Sequence, residues 1–225
     1  MNETKLVIFD MDGTLYKFDS SGSDGAIYQT KFYDEVRRRG IEFLAQRLSI
    51  SIEEATAIRE RIFKEYSGDV STALEKGYGI PKAEYFGYVW NIDASKYIQG
   101  DPELREVLLG VKCKRALLTT APEIWAHAAL KSIGVDGLFD KMWFGDGDIR
   151  KPDKRAYLQI VDYFGIAPEN IVIVEDEPKF LAPAKALGMT TVLVGAKKPE
   201  HNGIDHYVQR VHDIKHIIKL KSRST

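Results

Sequence analysis

Short apolar runs alternate with helical segments along most of this chain, and a polar residue or a glycine follows each run. Uninterrupted runs of this kind are typical of strands that helices cover on both faces of a sheet. Strands that alternate with helices predict the α/β class, with a doubly wound parallel sheet. We place the predicted strands at residues 6–9, 115–119, 142–144, 171–174 and 190–194, with a brief further strand around Tyr207.

Helix-start and helix-stop residues separate these strands. An aspartate followed by proline, at Asp101 and Pro102, is typical of a helix start. Pro122 opens a second helix, which Gly134 closes, and residues 178–187 form another. An amphipathic segment predicts a final helix at residues 211–220.

One long block interrupts the alternation. Residues 30–98 show helical spacing and no strand signal. The S-x-x-E sequence that begins at Ser51 is a capping box, Asp69 can cap a short helix, and Pro81 begins another. The block is therefore predicted to be entirely helical.

The helical block lies between the first and second predicted strands, so it is an insertion into the α/β fold. We expect an α/β core formed by residues 1–17 and 99–225, and an all-helical domain formed by residues 18–98. The Ser- and Gly-rich residues 20–25, and the turn at residues 99–100, are the predicted hinges between them.

Composition changes the predicted fold little, but it excludes some classes of binding partner. Hydrophobic residues make up 44% of the 225 residues and charged residues 29%, which is typical of a globular protein. Lys and Arg total 32 against 33 Asp and Glu, so neither nucleic acid nor an anionic membrane is an expected partner. The single cysteine, Cys113, excludes an internal disulfide. Since we find no apolar leader and no apolar run near the ~20 residues of a membrane helix, we expect a cytoplasmic protein.

The first predicted strand ends at a pair of carboxylates, Asp10 and Asp12, which Gly13 and Thr14 follow. Ligands of open α/β sheets bind just beyond the carboxyl ends of the strands. Gly13 tolerates a positive φ, so the chain can turn sharply and bring Asp12 back over the end of the strand. A plain surface turn is the alternative, but such a turn does not usually follow a buried strand in this way. This stretch therefore indicates a functional site and not a plain turn.

Polar residues follow the other predicted strands as well, and parallel strands bring them to one edge. The group comprises Asp10, Asp12, Thr119, Thr120, Lys151, Glu175 and Asp176. Its carboxylates would repel one another without a hard cation, and Mg²⁺ prefers such oxygen ligands while leaving positions for a substrate phosphate. The lysine and the hydroxyls suit a tetrahedral oxyanion. Read singly, Lys151 is a surface loop residue and Thr119 a strand former; together they predict a phosphate site.

This arrangement resembles the haloacid dehalogenase-like hydrolase superfamily over essentially the whole chain. The sequence from Asp10 to Leu15 is similar to its first motif, and residues 117–120 to its second. Residues 151–153 resemble the third motif and residues 174–176 the fourth. Residues 18–98 stand where this family has its helical cap, beside a Rossmann-like core.

The resemblance implies phosphoryl transfer through an aspartyl-phosphate. Asp10 would be the nucleophile and Asp12 the general acid and base. The carboxylates of Asp10 and Asp176, with the backbone carbonyl of Asp12, would hold Mg²⁺. The phosphoryl group would be bound by Thr119, Thr120 and Lys151. The chain departs from many members at Glu175, where they have glycine, and at Phe180, where they have an aspartate, so Glu175 becomes the expected second acid.

Several activities remain open on this scaffold. A haloacid dehalogenase is disfavoured, because a halide leaving group does not use an acid at Asp12. A phosphomutase of the β-phosphoglucomutase type stays open. A phospho-receiver domain places its phosphorylated aspartate two strands later, and a non-catalytic phosphate-binding protein would have lost Asp10, Asp12 or Lys151. We therefore predict a magnesium-dependent phosphatase.

The substrate is less constrained than the reaction. The end of the helical block, residues 78–105, resembles the pyrimidine 5′-nucleotidase branch. Phosphoglycolate phosphatases and sugar phosphatases are close competitors. We expect a small phosphorylated metabolite, namely a nucleoside monophosphate, phosphoglycolate or a sugar phosphate, and the oligomeric state is left open.

Overall fold

A computed structural model describes residues 3–18, 27–195 and 203–218. The chain divides into two compact units, of which one comprises Met1–Lys17 with Ile98–Thr225 and the other Phe18–Tyr97. The predicted hinge at residues 20–25 lies outside these described residues, as does the predicted final helix beyond residue 218. No helix within the described ranges is both long and apolar enough to cross a bilayer.

The second unit is helical throughout its described part. Its signals for helix starts are confirmed: Ser51 Oγ accepts from the Glu54 backbone N–H at 3.2 Å, and Asp69 accepts from Thr72 in the same way. The helix at Lys31–Leu48 packs against the helices at Ile52–Glu65 and Lys82–Val89. In the second of these contacts the ring of Phe43 meets that of Tyr85 edge-on at 5.7 Å. The four helices are α1 (Lys31–Leu48), α2 (Ile52–Glu65), α3 (Val70–Tyr78) and α4 (Lys82–Val89).

The first unit is built on a six-stranded sheet in which every neighbouring pair is parallel. Numbered along the chain, the strands lie in the spatial order 3-2-1-4-5-6, so the first strand lies inside the sheet between the second and the fourth. This arrangement confirms the predicted fold class. The strands are β1 (Leu6–Phe9), β2 (Lys114–Leu118), β3 (Lys141–Trp143), β4 (Ile171–Glu175), β5 (Thr190–Val194) and β6 (His206–Val208).

Four helices connect these strands, and all residues of β1 and β4 are buried. Apolar side chains of the sheet, such as Ile8 and Ile173, share one cluster with Tyr157 and Leu181 from the helices. Burial on this scale is the main force that holds such a layer together. The helices are α5 (Pro102–Gly110), α6 (Glu123–Ile133), α7 (Lys154–Phe164) and α8 (Pro178–Ala186).

The structure corrects some boundaries. Strands β2 and β3 each begin one residue earlier than predicted, because Lys114 pairs with Leu6 and Lys141 with Ala116. The predicted final helix begins at residue 211 as expected, but its described part is a 3₁₀ helix at Val211–His216. Its buried apolar residues, Val211 and Ile214, are three positions apart, which is the period of a 3₁₀ helix.

Candidate active site

The site is assembled at the carboxyl ends of three adjacent strands. Asp10 follows β1, Thr119 follows β2, and β4 ends at Glu175 with Asp176 directly after it. Lys151 comes from the segment between β3 and α7 and is 4% exposed. The parallel pairing of β1 with β2 and β4 is what brings residues so distant in sequence to one edge.

Three carboxylates form a cluster at this edge. Asp10, Glu175 and Asp176 each offer an oxygen, and these oxygens all lie within 4.8 Å of one another. Oδ2 of Asp10 is buried and has no hydrogen-bond partner within the described part of the chain. An unpartnered buried carboxylate oxygen is costly, so a cation or a donor from outside the protein is expected there.

Lys151 is the buried cation of the site. Its Nζ lies 2.7 Å from Oδ1 of Asp10 and 2.6 Å from Oε2 of Glu175. Burial by itself lowers the pKa of the ammonium, but the charges and hydrogen bonds of the two carboxylates outweigh it and raise that pKa above its ordinary value. Lys151 is therefore held as a cation against the proposed nucleophile.

Burial, the charge of Asp10 and the shared negative charge of the cluster raise the pKa values of the other two acids. Burial is the largest cause for both groups: it raises the pKa of Asp176 to about 7 and raises the pKa of Glu175 well above its ordinary range. One lysine does not balance three carboxylates. The cluster offers oxygen ligands, an excess of negative charge and an unpartnered oxygen on Asp10. These properties fit a divalent cation such as Mg²⁺ or Mn²⁺.

Gly13 permits the close approach between the loop after β1 and Asp176. Its φ is +85°, and a Cβ at this position would lie 2.2 Å from Oδ2 of Asp176. Thr14, the next residue, donates from Oγ1 to Oδ1 of Asp176 at 3.1 Å. The glycine is thus required both for the turn and for the space that the fourth-motif carboxylate occupies.

Asp12 has surroundings different from those of the cluster. Tyr16 and Trp125 both donate hydrogen bonds to its Oδ1, the indole N–H over 3.1 Å. Burial raises the pKa of Asp12 to about 6, with a further rise from the charge of Asp10, while the two hydrogen bonds and Lys151 oppose it. A carboxyl group that titrates near neutral pH can both give and take a proton at working pH.

The two threonines of the second motif differ. Thr119 is 1% exposed, and its Oγ1 accepts from the backbone N–H of Ala121 at 3.0 Å. Thr120 is exposed, and no hydrogen bond joins its side chain to the cluster within the described residues. Its backbone carbonyl instead packs on Gly145, where a Cβ would lie only 1.8 Å away.

Sequence reasoning named no role for several side chains that contact the site. Trp125 lies on α6 and carries no motif signal, whereas Thr14 stands inside the first motif and Tyr16 directly after it, so both could have been suspected. The ring of Phe180, which the sequence marked only as a departure from the fourth-motif pattern, lies 4.7 Å from Nζ of Lys151. An aromatic face there stabilises the ammonium instead of adding a fourth acid.

Comparison with known proteins finds phosphatases that are similar to this chain. The chain is 27% identical over 205 residues to the phosphorylated carbohydrates phosphatase of Thermotoga maritima, covering 84% of this chain and 83% of that protein. It is 25% identical over 194 residues to the validoxylamine A 7′-phosphate phosphatase of Streptomyces hygroscopicus, covering 84% of each.

Structural comparison agrees on the fold. The crystal structure of an HAD phosphatase from Thermococcus onnurineus superposes with a TM-score of 0.67 at 21% identity, covering 97% of this chain and 99% of that one. The sequence profile of the haloacid dehalogenase-like hydrolases matches residues 4–188, a span that contains every site residue described above. The chain therefore belongs to the haloacid dehalogenase-like hydrolase family.

Proposed function

We propose that this protein is a magnesium-dependent phosphatase that hydrolyses a small phosphate monoester through an aspartyl-phosphate on Asp10. The observation that supports this most is the state of Asp10 itself. One of its oxygens is held by Lys151 at 2.7 Å, and the other is buried and unpartnered beside two more carboxylates. A carboxylate held in this way is oriented for attack on a bound phosphoryl group.

In the first half of the proposed reaction, an oxygen of Asp10 bonds to phosphorus as the bond from phosphorus to the leaving oxygen breaks. Asp12 gives its proton to that oxygen, which departs as an alcohol. In the second half, the Asp12 carboxylate takes a proton from water as the water oxygen bonds to phosphorus. The bond between phosphorus and Asp10 then breaks, which releases inorganic phosphate and restores both acids.

The remaining residues are proposed to bind the phosphoryl group and the metal ion. Lys151 and the hydroxyl of Thr119 would hold the phosphoryl oxygens, as the resemblance implies for the second and third motifs; Thr120, being exposed, is given no contact. The carboxylates of Asp10 and Asp176, with the backbone carbonyl of Asp12, would hold Mg²⁺. When bound, the metal supplies positive charge that offsets the charge developing on the phosphoryl oxygens.

Glu175 has a distinct place in this proposal. Its Oε2 bonds to Lys151, and its Oε1 accepts the backbone N–H groups of Asp176 and Glu177 at 3.1 and 3.2 Å. Since both of its oxygens are already engaged, we assign Glu175 to orienting Lys151 and to the outer surroundings of the metal. Asp10 and Asp176 are the carboxylates left to ligate it directly.

The names of two relatives support the substrate class that we propose. The two curated relatives are named for phosphatases that act on phosphorylated carbohydrates and on validoxylamine A 7′-phosphate. We infer that a sugar phosphate or a similar phosphorylated small molecule is the substrate, ahead of a nucleoside monophosphate or phosphoglycolate. The helical unit, which corresponds to the family's cap, is proposed to select it.

The test is hydrolysis by the purified protein of p-nitrophenyl phosphate and of a panel of sugar phosphates, nucleoside monophosphates and phosphoglycolate. We expect activity that chelation abolishes and that added MgCl₂ restores, and none from Asp10→Asn. Mass spectrometry after acid quenching should detect a phosphate adduct on the peptide that contains Asp10. Undiminished turnover after chelation, or by Asp10→Asn, would contradict the proposal.

A further inference from the structure

The carboxyl group of Asp12 is held by one oxygen only. Tyr16 Oη and Trp125 Nε1 both donate to Oδ1, and the indole of Trp125 is wholly buried. Within the described residues, Oδ2 of Asp12 receives no side-chain hydrogen bond. The two oxygens of this carboxyl are thus in different surroundings, and the difference fixes its orientation.

An indole N–H can donate but cannot accept. Oδ1 therefore serves as an acceptor toward Trp125 whether Asp12 is ionised or protonated, and a proton on Oδ1 would compete with both donors. Oδ2 is the oxygen left to carry a proton. Two hydrogen bonds to the same atom also restrict rotation about the Cβ–Cγ bond, because turning the carboxyl breaks both.

Two separate parts of the fold supply the donors. Tyr16 belongs to the same turn as Asp12, and its carbonyl accepts the backbone N–H of Gly13 at 2.9 Å. Trp125 comes from α6, the helix that follows β2. The orientation of Asp12 is consequently set both by its own turn and by a helix more than a hundred residues away in sequence.

We propose that Tyr16 and Trp125 are positioning residues that anchor Asp12 by Oδ1 and so present Oδ2 to the reacting oxygen of the substrate. This inference rests on the proposed function. In the first half-reaction the proton leaves Oδ2 for the departing oxygen, and in the second half Oδ2 accepts the proton of the attacking water. Oδ1 remains bonded to the two donors throughout.

The kinetic test compares phenyl phosphate with p-nitrophenyl phosphate, which have nearly the same shape. Phenolate is the more basic leaving group, so its departure depends more on a well-placed proton. Trp125→Phe and Tyr16→Phe each remove one donor while keeping an aromatic ring. We expect kcat on phenyl phosphate to fall roughly tenfold or more, up to the ~10²–10⁴-fold that acid–base catalysis contributes, with a much smaller loss on p-nitrophenyl phosphate and little change in KM.

Trp143→Phe and Tyr207→Phe are the matched controls. Trp143 lies on the edge strand β3, and the hydroxyl of Tyr207 donates to the carbonyl of Gly195 near β5. Both controls should leave the ratio of the two substrates unchanged. Equal losses on both substrates by Trp125→Phe and Tyr16→Phe would overturn the proposal, and so would wild-type rates on phenyl phosphate.

A second measurement needs no turnover. The chain has three tryptophans, so its indole N–H resonances are few, and the one missing from Trp125→Phe is assigned to Trp125. In Asp12→Ala this resonance should move upfield, while those of Trp90 and Trp143 stay in place. An unmoved Trp125 resonance would overturn the anchor even in a fully active protein. A moved resonance in a protein without phosphatase activity would instead contradict the proposed function alone.

Discussion

Nζ of Lys151 lies 2.7 Å from Oδ1 of Asp10, and both side chains are almost fully buried. The contact joins the segment before α7 to the end of β1, across 141 positions of sequence. It places a fixed positive charge against the proposed nucleophile, where the proposed mechanism needs a cation for the phosphoryl oxygens. The same ammonium meets Glu175 at 2.6 Å, so one lysine organises two carboxylates.

Removing this cation should harm both stability and rate. Lys151→Met leaves two buried carboxylates without their counter-ion, and breaking such a pair costs about 3–5 kcal/mol of unfolding free energy. The transition state should lose about 2.7–4 kcal/mol, as when one electrostatic stabiliser is removed. Urea unfolding and kcat/KM of the folded fraction measure the two effects. Lys154→Met, at an exposed position, is the control, and equal behaviour of the two variants would disprove the assignment.

Asp12→Asn should separate the two halves of the reaction. The variant keeps Asp10, so p-nitrophenolate can still leave, but no carboxylate remains to activate water. We expect a burst of nitrophenol and then slow turnover, with a steady-state loss of about 10²–10⁴-fold. Rapid mixing would reveal the burst. Asp10→Asn should show none, and a burst-free Asp12→Asn with equal losses on alkyl and aryl esters would make Asp12 structural.

Gly13→Ala should weaken metal binding beyond what backbone strain explains. The new Cβ would lie 2.2 Å from Oδ2 of Asp176, on a backbone with φ of +85°. Gly137 also has a positive φ, +72°, but open space around it, so Gly137→Ala reports the strain alone. The rise in Tm on adding MgCl₂ measures the metal. A rise in Gly13→Ala equal to that in Gly137→Ala would show that Asp176 does not need this space.

Gly145→Ala should disturb the loop that carries Thr119. Its Cβ would lie 1.8 Å from the carbonyl oxygen of Thr120, which is backbone and cannot swing aside. We expect a loss of about 1–3 kcal/mol in unfolding free energy, the usual cost of overpacking, and a higher KM for phosphate esters. Gly147 has open space around it, so Gly147→Ala should change neither value. Similar results for the two variants would contradict the close contact.

Asp140 should make the free energy of unfolding depend on pH at acidic pH. Partial burial raises its pKa, but hydrogen bonds from Lys114 Nζ at 2.8 Å and from the Arg115 N–H at 2.9 Å outweigh this and lower it. A lowered folded-state pKa gives stability that is present above the unfolded value of about 3.9 and is lost as pH falls through the folded one. The gap in unfolding free energy between wild type and Asp140→Asn should therefore shrink below about pH 4.

Urea unfolding at several pH values between 7 and 3 measures that gap. Asp136→Asn is the control, since Asp136 is exposed and forms no ion pair within the described part of the chain. A gap that stays constant down to pH 3 would show that the ionised carboxylate of Asp140 is not what stabilises the start of β2 and β3.

The sequence by itself determined the order of the elements and the identity of the central acids. Apolar runs located β1, β4 and β5 to within a residue, because a strand buried on both faces must be apolar throughout. Capping residues such as Ser51 and Asp69 located helix starts, because their bonds reach only three positions along the chain. Asp10, Asp12 and Gly13 were found together because one turn holds them.

Other features were decided only by the packing of distant elements. Trp125 reaches Asp12 because α6 packs beside the end of β1, and nothing in the local sequence around either residue encodes that meeting. The sequence could not rank Thr119 above Thr120, since both follow the same strand; only the fold buries the first and exposes the second. Nor could it show that Phe180 faces Lys151, because such a contact depends on how α8 is set against the segment before α7. Local patterns specify elements, whereas the site depends on side chains that meet only after those elements are assembled.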